Sequence, residues 1–209
     1  MLGVSRFRNK VAVIAGAEHP IGAAMAARLA GFGATVIALG RDDTKLRALA
    51  TPNPKQIEPL ALHAGWRDIL PLLQEAWADQ HIDIYVDLMP LMQVDSSLEA
   101  SDGFAFSAGL AASLRRGLRA GKALSVLVVP GSNPLDTARP APDSYRALLQ
   151  RFTKNNTMVR MVGVRMPRGK DSWTRSEALS AGDTILMLCH PVSRGVKGGT
   201  VIDWDACVG

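Results

Sequence analysis

The sequence predicts one doubly wound, Rossmann-like α/β domain over residues 1–209: a mostly parallel sheet of about seven strands with helices on both faces. Three observations predict it. Short β-branched runs alternate along the chain with longer segments of helical spacing, the order that builds parallel strands joined by right-handed helical crossovers. The runs at 11–15, 82–88 and 124–130 are nearly continuous in apolar residues, as strands covered on both faces are. A glycine-bearing turn, AGAEHPIGAA (Ala15–Ala24), follows the first run, where such folds cradle phosphates.

Each element has its own signal. VAVIA (11–15) reads as the first strand. A helix over 20–31 follows, with Pro20 suited to its first position and Gly22, Ala23, Ala26 and Ala27 on one side. ATVIAL (34–39) is the second strand and 42–50 a charged helix; EPLAL (58–62) is a weaker third strand. Ile69, Leu72, Leu73 and Ala76 give helical spacing to 67–79. IDIYVDL (82–88) is the fourth strand, 104–121 a single helix and LSVLVVP (124–130) the fifth strand. A helix over 142–153, a strand over 158–164, a helix over 177–188 and a last strand within 198–204 complete the order.

Composition narrows the function classes. With 47% apolar and 21% charged residues, the chain has the makings of a packed core. Its two cysteines, Cys189 and Cys207, provide no disulfide framework and suit a reducing cytosol. No signal-type apolar stretch precedes the first strand, and no run approaches the ~18 apolar residues of a membrane span, so the expected location is cytoplasmic, with no membrane partner. The net charge is +5, with basic residues gathered at 113–122 and 151–170. Without aromatic interleaving or a zinc, RNA-sheet or helix-turn-helix signature, these read as solvated helix faces rather than a nucleic-acid surface. Cys189-His190 lacks the further ligands a metal needs, because His19, His63 and His81 are scattered; no metal site is expected.

Doubly wound sheets bind ligands outside the carboxyl ends of their strands, where the strand order reverses. That places Gly16–Gly22, Gly40–Arg41, Leu88–Pro90 and Gly131–Ser132 around one crevice.

The segment NKVAVIAGAEHPIGAAMAARLAGFGATVIALGRD resembles the opening of the short-chain dehydrogenase/reductase family, where a lysine-led strand runs into Thr-Gly-x-x-x-Gly-Ile-Gly. IDIYVDLMP stands where that family writes Asp-Ile-Leu-Val-Asn-Asn-Ala-Gly, and GGTVIDWDACVG resembles its terminal strand. The resemblance spans almost the entire chain. It implies an NAD(P)-dependent oxidoreductase acting on a carbonyl/alcohol pair, with Gly16, Ile21, Gly22 and Arg41 binding the cofactor and Ser132 and Tyr145 catalytic. An Arg after the second strand, with Gly40 leaving no carboxylate at the strand end, implies NADP(H) over NAD.

Each motif also departs from the family's. Pro20 stands for the middle glycine and lacks the N–H that an anion at a helix start would take. Glu18 brings a carboxylate close to where phosphates would lie, which a protonated His19 would partly offset. Asp87-Leu88-Met89-Pro90 replaces Asn-Asn-Ala-Gly, and Ser107 falls near the accessory asparagine. Ser132 lies 13 residues before Tyr145, the family's spacing, yet Leu149 occupies the lysine position of Tyr-x-x-x-Lys. That lysine shares a helix face with the phenol and lowers its pKa. Only RGKDSWTRS (168–176) stands where the family carries its substrate lid, and the helix of the usual dimer surface is shortened.

Three functional expectations follow. The chain is a catalytically impaired relative with weak or no dinucleotide binding, serving as a binding or accessory subunit in a homo- or hetero-oligomer with a related subunit. Alternatively, it is an active NADPH-dependent carbonyl reductase using Tyr145 as acid and Ser132 to polarise an unidentified small molecule. The third expectation is a polyanion binder, resting on the Arg/Lys distribution alone.

Overall fold

The computed structural model describes residues 7–62, 66–92, 100–131, 142–168 and 172–204. Seven strands among them form one sheet: β1 (Val11–Ala15), β2 (Thr35–Gly40), β3 (Ile57–Ala61), β4 (Ile84–Asp87), β5 (Leu124–Gly131), β6 (Arg160–Arg168) and β7 (Val201–Asp203). The order is β3-β2-β1-β4-β5-β6-β7 and every pairing is parallel. The chain winds outward through β2 and β3, then returns to β4 on the other side of β1. This reversal makes the crevice.

The helices are α1 (Pro20–Gly31), α2 (Asp43–Ala50), α3 (Trp66–Ala76), α4 (Met89–Met92), α5 (Ala100–Ser113), α6 (Arg115–Ala120), α7 (Pro142–Asn155) and α8 (Arg175–Leu188). Both faces of the sheet are covered. Ile14, Val36, Val86 and Val162 pack under α1, α2 and α8, whereas Val13, Tyr85, Leu127 and Met161 pack under α3, α5, α6 and α7. The small residues of α1 let α8 come close; a Cβ on Gly182 would stand 3.2 Å from Met25 Cγ.

Three expected boundaries shift for physical reasons. The single helix expected over 104–121 is two, because Leu114 relaxes to ψ −2 and the chain turns toward β4. Gly121 there passes so close to Ile82 that a Cβ would lie 2.0 Å from its carbonyl oxygen. β6 runs to Arg168 rather than stopping at 164, since the polar Arg165 has a partner across the sheet, the Asp203 carboxylate of β7 at 2.5 and 3.0 Å. A short turn of helix at Pro191–Gly195 precedes β7, which is confined to Val201–Asp203. Among the described residues, no helix is long and apolar enough to cross a membrane.

Candidate functional site

The carboxyl ends of β2, β1 and β4 meet where the strand order reverses. Gly16 leaves β1 at φ +78, in the left-handed region that favours glycine. Its N–H and that of Ala17 donate to the Leu39 carbonyl at 2.9 and 3.0 Å, tying the turn to β2. A Cβ on Gly22 would stand 2.6 Å from the Gly16 carbonyl oxygen, so α1 can start this close to β1 only with glycine there. Ile21 is wholly buried in the core beneath α1. The outer glycines thus keep the tight turn and the close packing that the motif implies.

The amide hydrogens that would grip an anion are differently disposed. Pro20 occupies the first turn of α1 and has no N–H, and His19 caps the helix with Nδ1 accepting from Ile21 N–H at 3.2 Å. The His19 ring also meets Trp173 edge-on at 6.2 Å, and Trp173 meets Trp204 at 5.8 Å. A residue of the shortened lid segment therefore stands over the turn, a contact that no local pattern in the sequence signals.

Glu18 corrects the expectation that the end of β2 lacks a carboxylate. Its Oε1 accepts the Arg41 backbone N–H at 2.6 Å. A Cβ on Gly40 would lie 1.9 Å from Glu18 Oε2 and 2.5 Å from Cδ. The carboxylate therefore fills the volume of an absent side chain at position 40, and Oε2 is buried without a hydrogen-bond partner among the described residues. Arg41 itself is exposed at the start of the link to α2. The signal that could have found this contact is the pairing of an out-of-pattern acid in one turn with a bare strand end beside it.

At the end of β4, Asp87 is fully enclosed; its Oδ2 accepts from the Tyr85 hydroxyl at 3.0 Å and its Oδ1 from Met89 N–H at 2.9 Å. Burial raises its carboxyl to about 6, against the pull of those two donors. Burial and the neighbouring Asp87 push the Tyr85 phenol well above its ordinary value. Leu88, Met89 and Ser107 are buried.

Tyr145 lies on α7 with only 4% exposure, in the core beneath α5 and α7. Leu149, one turn on, is fully enclosed; a Cβ on Gly163 of β6 would come within 2.7 Å of its Cδ1. Ser132 lies outside the described residues, so its relation to Tyr145 stays a matter of spacing. Cys189 is enclosed at the end of α8, where burial pushes the thiol up to about 12 despite the opposing pull of Arg160, leaving no thiolate for chemistry near neutrality. Among the described residues, no group of His, Cys, Asp or Glu could hold a metal ion.

No family model matches the chain, and no curated protein matches it in sequence. Solved structures do match in shape. A hydroxysteroid dehydrogenase from Escherichia coli superposes with a TM-score of 0.72 at 15% identity, covering 96% of this chain and 97% of that one. A short chain dehydrogenase/reductase family protein gives 0.66 at 17% identity, covering 95% and 96%. The chain has the short-chain dehydrogenase/reductase fold.

That fold implies a nicotinamide dinucleotide, and the turn does not fit one. The pyrophosphate of such a cofactor needs free helix-start amides, whereas here Pro20 has none and that of Ile21 is held by His19. The 2′ edge of the cofactor's ribose needs the corner by β2, which Glu18 fills.

Leu149→Lys, which restores the family residue, places an ammonium in a closed apolar site and should cost about 3 kcal/mol or more, measured by urea unfolding. Asp87 binds its proton more tightly folded than unfolded, so its contribution to stability is greatest at low pH and is lost as pH rises through about 6. Relative to Asp87→Asn, the wild type should therefore gain on the order of 1 kcal/mol between about pH 8 and pH 5 in paired unfolding measurements.

Proposed function

We propose that this chain is a short-chain dehydrogenase/reductase-fold protein with an impaired reaction centre and weak or no dinucleotide binding, acting as a binding or accessory subunit. The observation that carries this reading is that the protein's own side chains engage the amides a cofactor would use. His19 takes the Ile21 N–H, and Glu18 takes that of Arg41. Leu149 supports it from the catalytic side. The position where the resemblance expects the ammonium, one turn on from Tyr145, holds Leu149 inside the core.

The exposed face of α7 supports the accessory role and points to a related but different chain as partner. Arg146, Arg151 and Lys154 are exposed on it, with Ala147 and Gln150 between them. Two copies meeting there across a two-fold axis would set like charges together, whereas an acidic helix face of a relative would complement them.

Titration calorimetry with NADPH, NADP⁺ and NADH tests the central part. The expected result is no saturable heat up to about millimolar ligand; a Kd near ~1 μM, or reduction of ketones or aldehydes at ~1–10³ s⁻¹, would reject it.

A further inference from the structure

We infer that Glu18 is the specificity-determining residue of the crevice at the end of β2: it is an internal stand-in for a side chain at position 40 that bars a phosphorylated ribose. This rests on the reading above that the crevice is of the dinucleotide type, and it assigns one part of the closure to one residue.

Glu18 belongs to the turn after β1, 23 positions from Arg41, yet parallel pairing of β1 with β2 sets that turn beside the end of β2. Gly40 closes β2 and has no side chain of its own. The Glu18 carboxylate lies in that vacated volume, with Oε2 where a Cβ and its substituents would be and Oε1 on the Arg41 amide at 2.6 Å. In doubly wound sheets an acid at this strand end receives the ribose 2′-hydroxyl, whereas an arginine beside it receives a 2′-phosphate. Here the two signals come from different loops and oppose each other. Arg41 offers a guanidinium and an amide to an anion, and Glu18 has already taken the amide and set a negative charge in the same corner.

The neighbouring acids do not share this role. Asp42 accepts from Lys45 N–H at 3.0 Å as the cap of α2, and Asp43 pairs with Arg47 at 2.8 Å. Both are engaged along α2, so among the described residues Glu18 is the carboxylate seen to face the Gly40–Arg41 corner. The helix start, with Pro20 and His19, is a separate obstacle that concerns the pyrophosphate alone.

The separation makes the inference testable with adenosine 2′-monophosphate, whose phosphate does not reach the helix start, against adenosine 5′-monophosphate, whose phosphate belongs to the pyrophosphate, as the control. Adenosine 2′-monophosphate and adenosine 5′-monophosphate are titrated by calorimetry into the wild type, Glu18→Ser, Glu18→Gln and the double variant Glu18→Ser/Arg41→Ala. Thermal melts confirm that each variant is folded. Glu18→Ser should bind the 2′-monophosphate about tenfold or more tighter than the wild type, the worth of one charge-assisted phosphate contact. Its affinity for the 5′-monophosphate should not move, and Arg41→Ala should cancel the gain. Glu18→Gln, which retains the shape and an acceptor for the Arg41 amide, should stay closed.

A folded Glu18→Ser without the gain, an equal gain for both fragments, or a Glu18→Gln that opens as far would overturn the inference. If the wild type bound NADPH tightly, the closed-crevice reading would fail by itself. The 2′-against-5′ comparison would still decide the role of Glu18.

Discussion

The contact between the Glu18 carboxylate, the bare α-carbon of Gly40 and the Arg41 amide closes the corner at the end of β2. A doubly wound sheet leaves free amides and space at the carboxyl ends of its central strands, and an apolar crevice with unpaired donors is costly unless something fills it. In this chain the filling is internal. A charge-assisted N–H···O bond is worth ~1.5–3 kcal/mol net, enough to hold a side chain in place against its rotamer entropy. The cap that His19 gives Ile21 acts the same way one turn further on.

Side chains at the end of β4 and on α7 are enclosed as well. Tyr145 is buried on α7, Leu149 fills the space facing Gly163, and Asp87 is closed over by Tyr85 and the Met89 amide. These are structural solutions to satisfying polar groups away from water. Asp87 illustrates the cost, since its carboxyl holds a proton well into the range where an exposed one would be charged. The structure keeps a short-chain dehydrogenase/reductase fold, and these side chains help to close its core.

Much of the scaffold is legible in the sequence, because alternation and apolar continuity are local. The start of α1 is read correctly from Pro20, and its length from the small residues that follow. β6 is read too short because Arg165 interrupts the apolar run, and its partner Asp203 lies on a strand 38 residues away. The break between α5 and α6 is hidden because Leu114, where it falls at ψ −2, is an ordinary helix former. At the site, the loss of the middle glycine and of the catalytic lysine is plain from residue types. What residue types conceal is where Glu18 goes: read along the strand, Gly40 leaves an acid-free corner, and only the parallel register of β1 and β2 shows that an acid from the neighbouring turn fills it. Trp173 over His19 is concealed likewise, by a contact across most of the chain.

The closure of this crevice stands on amides that are already engaged, and those can be watched directly. In a nitrogen-15-labelled sample, the backbone resonances of Ile21 and Arg41 should stay where they are, and remain slow to exchange with solvent, as NADPH is added to about millimolar concentration. Saturable movement of both resonances, with a common affinity, would contradict it.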